Sequence, residues 1–382
     1  IMSGQTTWMK VPGGPRNHYL ARMDWAENSD ELLVQQLNRL QNQNKVMLAD
    51  ARSGEVKTVY TDKDKAWIEV RFGFTQWIGK GKQFTYVSER EGWRQLYLVE
   101  RDGSNVRKVT KGKYDIIRTL KVDETGNQLY FIASPDNATE RYLYRIGLDG
   151  KGLKRLSAAD QTGSHSYNIS PDAKWALHTY SNIDSPPVTN LIELPSHKVI
   201  RVMEKNQDLR DKLEKLKRPK SEFFRVKIGN GLEVDAYAVL PPHLDPKKKY
   251  PLLVYVYGEP AGQTTVNSWR GSGGLWHWML AQQGYVVMSI DNRGTTAPRG
   301  NGWRKSIYRQ VGILASKDQA AAVKQVLKDR PYLDAGQVGV WGWSGGGSMT
   351  LNALFRYPNL YRVGISIAPV PNQRLYDTIY QE

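Results

Sequence analysis

Tight turns rich in Asp, Gly or Ser recur along the first 200 residues at a nearly constant step, and that step restricts the fold more than any other feature of the chain. The turns are Asp50-Ala-Arg-Ser-Gly54, Glu100-Arg-Asp-Gly103 and Leu148-Asp-Gly150, with a weaker counterpart at Leu194-Pro-Ser-His197. Gly54 and Gly103 are 49 residues apart, and Gly103 and Gly150 are 47 apart. A second set of anchors keeps the step: Asp30-Glu-Leu-Leu-Val34, Lys82-Gln-Phe-Thr-Tyr86, Asn127-Gln-Leu-Tyr130 and Ala173-Lys-Trp-Ala176. Segments with period-2 alternation, such as Gln95-Leu-Tyr-Leu-Val99 and Arg141-Tyr-Leu-Tyr-Arg145, fill the intervals. A spacing in the forties with about four strands per unit is the signature of β-propeller blades. An irregular β-sandwich with accidental spacing is the competing reading. About four blades fit into residues 1–200, which are therefore expected to be the C-terminal part of a propeller with further blades upstream.

Composition agrees with this architecture. The chain has 382 residues, enough for two or more domains, and carries 12 Trp, 21 Tyr and 34 Gly, a profile of strands and turns. With no cysteine there is no disulfide framework, no thiolate metal site and no cysteine nucleophile. The 6 histidines are scattered without metal-ligand spacing, and no phosphate-binding glycine loop is present. No cofactor is expected. No apolar run reaches the roughly 18 residues of a membrane span, and no signal peptide is visible. The formal charge of +16 invites a nucleic-acid reading. The basic residues are spread along the whole chain, however, and no nucleic-acid motif accompanies them, so no nucleic-acid partner is expected.

The pattern changes near residue 200. Residues 201–220 interleave basic and acidic side chains, place Leu209, Leu213 and Leu216 at helical spacing and end at Pro219, so they read as a helical connector. From 221 to 382, two strands (223–228 and 232–240, joined by Gly229-Asn-Gly231) precede an alternation of buried strand runs and helices. The runs are Pro251–Tyr257, Tyr285–Ile290, Gln337–Trp341 and Arg362–Ala368, with helices near 275–283, 317–328 and 346–357. Such alternation predicts a largely parallel sheet covered by helices, the start of an α/β-hydrolase domain.

Within it, Gly342-Trp343-Ser344-Gly345-Gly346 lies between a predicted strand and a predicted helix. This is the G-x-S-x-G pattern of a nucleophile elbow, in which glycines allow a sharp, strained turn that exposes the serine. A glycine-rich loop ahead of a helix is the plainer alternative. The triad order on this fold is Ser, then Asp or Glu, then His. No histidine follows Ser344, and the acids after it, Asp377 and Glu382, lie too close to the elbow to sit on a later strand. The chain thus carries a nucleophile without its base and reads as a segment of a longer enzyme. His277, flanked by Trp276 and Trp278, reads as a packing residue on a helix face.

Several motifs together resemble the dipeptidyl-peptidase IV branch of the prolyl oligopeptidase family of serine peptidases. They are Gly342-Trp-Ser-Gly-Gly-Gly347, Val256-Tyr-Gly-Glu-Pro260, Asp291-Asn-Arg-Gly-Thr295, Ala368-Pro-Val370 with Leu375-Tyr-Asp-Thr-Ile-Tyr380, and Pro241-Pro-His-Leu-Asp-Pro246. Ser88-Glu-Arg-Glu-Gly-Trp-Arg-Gln-Leu-Tyr97 resembles the propeller of bacterial members. The resemblance implies Ser344 as the acylating nucleophile, with the Tyr257 hydroxyl and the Gly345 backbone N–H as oxyanion donors. It implies Val370, Tyr376 and Tyr380 as walls of a proline-accepting pocket. The family's triad Asp and His would lie beyond Glu382, and its amino-terminus-binding glutamates upstream of Ile1. Asp291, Arg293 and Asp318 read as structural, with Arg293 paired to an acid. Three positions depart from the family pattern: Gly345 where many relatives have Tyr, Glu259 where Gly is common, and Gln373 where some have Trp. The activity implied is release of N-terminal dipeptides with Pro or Ala second, from peptides with a free N-terminus. A tripeptidyl or acylaminoacyl peptidase on the same scaffold and a non-catalytic propeller/hydrolase-like scaffold are the alternatives. Export to a periplasm or secretion is the family-like expectation, and a homodimer is compatible with it.

Overall fold

The computed structural model describes residues 4–381 apart from 72 and 74. Its first sixteen strands form four sheets of four strands each, in sequential order. The first sheet holds β1 (His18–Trp25), β2 (Glu31–Asn38), β3 (Gln43–Asp50) and β4 (Val56–Lys63). The second holds β5 (Trp77–Ile78), β6 (Gln83–Ser88), β7 (Gln95–Glu100) and β8 (Val106–Lys108). The third is β9 (Ile116–Asp123), β10 (Gln128–Ala133), β11 (Tyr142–Gly147) and β12 (Lys154–Arg155), and the fourth β13 (Ser164–Ile169), β14 (Trp175–Asn182), β15 (Ser185–Glu193) and β16 (Val199–Glu204). These are propeller blades, and the repeat in the sequence maps onto them element by element. The anchors at 30–34, 82–86, 127–130 and 173–176 coincide with or abut the second strand of each blade, and the Gly-containing turns join the third strand to the fourth.

The turn glycines are fixed by how blades meet. Gly103 has φ +81°, and a Cβ there would come within 1.9 Å of the Val59 carbonyl oxygen on the preceding blade. At Gly150 the same contact recurs one blade later, 2.8 Å from Val109 O. The backbone of each turn therefore lies directly on the outer strand region of its neighbour, where any side chain would hold the blades apart. Apolar packing fills the remaining space: Leu33, Val46, Val59, Phe84, Tyr86 and Val99 form one buried cluster between the first two sheets. In the fourth sheet, His165 and His178 stack with ring nitrogens 2.9 Å apart, and the Tyr167 hydroxyl bonds His197 Nε2 at 2.8 Å.

The connector differs from its sequence reading. Residues 201–204 continue β16, paired with β15, and only α1 (Gln207–Glu214) is helical before β17 (Lys220–Lys227). Cross-strand pairing with β15 outweighs the helical tendency of this charged stretch. The second sheet system then has six strands in the order β17, β18 (Glu233–Leu240), β20 (Val286–Asp291), β19 (Tyr250–Tyr255), β21 (Leu333–Trp343), β22 (Val363–Ile367). The β17–β18 hairpin is antiparallel and β18 runs antiparallel to β20, whereas β20, β19, β21 and β22 are mutually parallel. Helices α2 (Gly271–Gln282), α3 (Asn301–Arg304), α4 (Ile313–Asp329) and α5 (Gly345–Arg356) make the crossovers, and α6 (Thr378–Gln381) follows. This is an α/β-hydrolase sheet: β20 is a buried apolar run, whereas β22, at the end of the strand order, leaves Val363 and Ile365 exposed.

Two compact units emerge from this arrangement. One comprises the described residues up to Ala133, with Tyr144–Arg155 and the stretch from Arg374 onward. The other comprises Ser134–Leu143 and Leu156–Gln373, so the fourth sheet and the α/β sheet belong together. Within this second unit Ile183, Leu213, Tyr237, Val239, Trp278 and Val287 share one buried core.

Candidate active site

Parallel register brings the two chemical segments side by side. Tyr255 at the end of β19 pairs with Trp341 of β21, and the Val256 N–H donates to Trp341 O at 2.9 Å. The chain beyond β19, with Tyr257, therefore emerges next to the turn between β21 and α5. That turn is the Ser344 elbow. Ser344 precedes α5 with φ 57° and ψ −118°, a conformation non-glycine residues seldom adopt, and its N–H is held by Ile367 O of β22 at 2.9 Å.

The glycines of the motif follow from contacts. A Cβ at Gly346 would sit 2.2 Å from Val256 O, and one at Gly342 would sit 2.4 Å from the same oxygen and 2.5 Å from Gly346 O. Strand, turn and helix thus close on a single carbonyl of β19's extension, and both glycines are required for the closure. At Gly347 a Cβ would approach Ile367 O at 2.6 Å, so the third glycine fits α5 against the end of β22. The Ser344 turn and the Tyr257 segment thus meet backbone to backbone at the Val256 carbonyl.

Gly345, the first residue of α5, is buried with its N–H at the helix start, where the dipole favours negative charge. The side-chain carboxyl of Glu259 fills the volume a residue-345 side chain would take, since a Cβ there would lie 2.5 Å from Oε2 and 2.7 Å from Cδ. Glu259 and Gly345, two of the three departures from the family pattern, thus occupy one shared space. Gly262 packs flat on the Tyr257 ring, its hypothetical Cβ only 2.8 Å from Cδ1. Val370 lies against the first turn of α5: its N–H donates to Ser348 Oγ at 2.9 Å.

Ser344, Gly345, Tyr257 and Val370 all belong to the second unit. Tyr376 and Tyr380 cluster with the first, where their rings meet edge to face with centroids 5.6 Å apart. Gln373, whose Oε1 is buried without a partner, is the last residue of the second unit. Of the acids after Ser344, Glu382 lies outside the described residues. Among the described residues no group of three His, Cys, Asp or Glu could hold a metal, and no helix is long and apolar enough to cross a membrane. His277 is buried on α2, with Tyr255, Trp276 and Trp341 rings around it, and burial pulls its pKa down to about 4. It is a packing residue. Arg293 has its acid: the guanidinium forks onto Asp318 of α4 at 2.8 and 2.9 Å, and this raises its pKa further.

Sequence reasoning did not find the groups that hold the Tyr257 segment in place. Asp291 accepts hydrogen bonds from the Thr264 and Thr265 N–H groups, and Asn292 donates to Gly258 O. Both lie in a motif quoted above, yet nothing in the local pattern indicates which backbone they serve.

A serine at a strained turn after a central parallel strand, with a helix starting at the next residue and the chain beyond the neighbouring strand beside it, is the elbow geometry of the α/β-hydrolase fold, here preceded by propeller blades. Residues 1–187 match the dipeptidyl peptidase IV N-terminal region, and residues 276–382 match the prolyl oligopeptidase family. By these matches the chain is related to the prolyl oligopeptidase family and to its dipeptidyl peptidase IV branch. It is similar to the crystal structure of Porphyromonas gingivalis dipeptidyl peptidase 4, with TM-score 0.90 and 32% identity over 98% of this chain and 52% of that one. It is 30% identical over its whole length to the "Probable dipeptidyl peptidase 4" of Trichophyton verrucosum (strain HKI 0517), covering 51% of that protein. The same identity holds against dipeptidyl peptidase 4 of Trichophyton rubrum, of which 50% is covered. The chain spans about half the length of these relatives.

Proposed function

We propose that the enzyme to which this chain belongs is a serine exopeptidase that removes N-terminal dipeptides, with Pro or Ala at the second position. The observation that carries the reading is the joint packing of the Ser344 elbow and the Tyr257 segment on the Val256 carbonyl. Ser344 Oγ attacks the scissile carbonyl and forms an acyl-enzyme with the dipeptide as the shortened product leaves. The Tyr257 hydroxyl and the Gly345 N–H hold the oxyanion, and loss of one such donor costs on the order of a hundredfold or more in rate. The histidine base and its acid come, on the family resemblance, from residues other than these 382. On the family resemblance, Val370, Tyr376 and Tyr380 are the residues matched to the proline-accepting pocket, aromatic surface being suited to a pyrrolidine ring. The ligand is a peptide with a free N-terminus and not a nucleic acid; a homodimer is compatible with this reading, and action in the periplasm or outside the cell is its family-like expectation.

The test is made on the natural full-length product. Wild type should take up a fluorophosphonate probe and cleave a Gly-Pro reporter, and Ser344→Ala should lose both. A folded full-length protein that does neither would end the peptidase reading and leave a non-catalytic scaffold. Release of tripeptides or acylated residues in place of dipeptides would redirect it to a sister specificity.

A further inference from the structure

We propose that Asp291 and Asn292, at the C-terminal end of β20, are the positioning residues that set Tyr257 for the reaction; the inference rests on the peptidase reading above. Tyr257 is carried by a segment without regular structure just beyond β19. Two adjacent residues of the neighbouring strand hold that segment at both ends.

Asn292 is fully buried, and its Nδ2 donates to Gly258 O at 3.0 Å and to Arg293 O at 2.7 Å. Its amide is oriented by Gln319 of α4, whose Nε2 donates to Asn292 Oδ1 at 3.0 Å and to Ile290 O at 2.7 Å. Gly258 has φ +77°, and a Cβ there would fall 2.8 Å from Met349 Cγ of α5 and 3.2 Å from Asn292 Oδ1. The peptide that follows Tyr257 is thus gripped between Asn292 and the nucleophile helix.

Asp291 secures the far end. Its Oδ1 accepts from Thr264 N at 2.9 Å, Thr264 Oγ1 at 3.1 Å and Thr265 N at 3.2 Å. Ser289, two residues earlier on β20, places its Oγ 2.7 Å from both Tyr255 O and Thr264 Oγ1. Because Gly262 lies flat on the Tyr257 ring, fixing Thr264 and Thr265 fixes the surface against which that ring rests. Backbone and ring of Tyr257 are each held by one of the two neighbours. Both residues act through Tyr257 and neither needs to touch substrate.

The experiment is a double-mutant cycle in the full-length enzyme, with rates corrected to the folded fraction. Asn292→Ala and Asp291→Ala should each lower kcat by about ten- to a hundredfold, the scale of a 1 Å misplacement, with KM little changed. In a Tyr257→Phe background the same substitutions should cost little more, because the hydroxyl they position is gone. Asp291→Asn keeps the Oδ1 acceptor and should lose several-fold less than Asp291→Ala. Losses that persist undiminished in the Tyr257→Phe background would overturn the proposal. An independent arm is amide hydrogen exchange of the 257–265 segment, expected to quicken in Asn292→Ala while β18 and β20 stay protected; unchanged exchange would also overturn it. If wild type fails to cleave the Gly-Pro reporter, the peptidase reading falls and the exchange arm alone decides the clamp.

Discussion

Gly346→Ala tests the central packing claim most directly. The added Cβ would lie 2.2 Å from Val256 O, 3.2 Å from Val256 C and 3.3 Å from Tyr257 Cα. Ordinary carbon–oxygen contact begins near 3.4 Å, so the two segments must part by about 1.2 Å, and every atom in the way is backbone. Either the first turn of α5 retreats and takes Ser344 and Gly345 with it, or the β19 extension retreats and takes Tyr257. Overpacking of this kind costs about 1–3 kcal/mol in stability. The catalytic loss should be larger than that cost implies, because a misplacement of about 1 Å between nucleophile and oxyanion donors lowers the rate on the order of a hundredfold. The assay is kcat/KM on a Gly-Pro reporter and the rate of fluorophosphonate labelling in the full-length enzyme, alongside the thermal midpoint. Gly273→Ala on α2 is the control, since its Cβ meets nothing within 4 Å and its φ is ordinary. That substitution should be neutral or stabilising by about 0.5–1 kcal/mol. A Gly346→Ala enzyme with wild-type labelling and turnover would refute the argument that one carbonyl fastens the two halves of the site.

Two further outcomes follow from other parts of the molecule. His178, with its pKa pulled down to about 3 by burial and by His165 and His197, is held neutral in the folded state and binds its proton when unfolded. Between the unfolded value near 6.5 and about 3, stability therefore falls as pH falls, by up to about 1.4 kcal/mol per pH unit for this one residue. Thermal midpoints measured from pH 7 to pH 4 should decline, and His178→Leu should flatten that slope; an unchanged slope would refute the assignment. Asp318→Ala should destabilise by about 1.5–3 kcal/mol, the scale of hydrogen bonds to a charged group, because it strips the fork from a partly exposed Arg293, and urea unfolding at constant m-value reads the loss.

How much was legible in the sequence divides along contact range. The blade repeat was readable because each blade pairs its own strands in sequential order and joins its third strand to its fourth through turns whose glycines adopt φ near +80°, as at Gly103 and Gly150. The elbow was readable because strand, strained serine and helix are contiguous. The 201–220 reading failed over its first four residues, where Arg201 and Val202 pair with Leu191 and Asn190 of β15 instead of starting a helix. Long-range pairing decides such an edge strand, and the local pattern carries no record of it. The same reason hid Asp291 and Asn292, which act on backbone groups about thirty residues away in sequence. It also hid the complementarity of Glu259 and Gly345. Each looked like an isolated departure, yet the carboxyl of one fills the space left by the missing side chain of the other.

That complementarity bears on how the site tolerates change. The elbow needs glycine at 342 and 346 for backbone closure on Val256 O, and those positions have no compensating partner. Position 345 is different, because the atoms opposing a side chain there belong to the flexible end of Glu259 and not to backbone. A larger residue at 345 is therefore blocked only as long as Glu259 keeps its length, and shortening 259 reopens the space. The Ser344 conformation and the Gly345 N–H, both backbone features, survive either arrangement. The space beside Ser344 can thus be filled from the elbow or from the chain beyond β19.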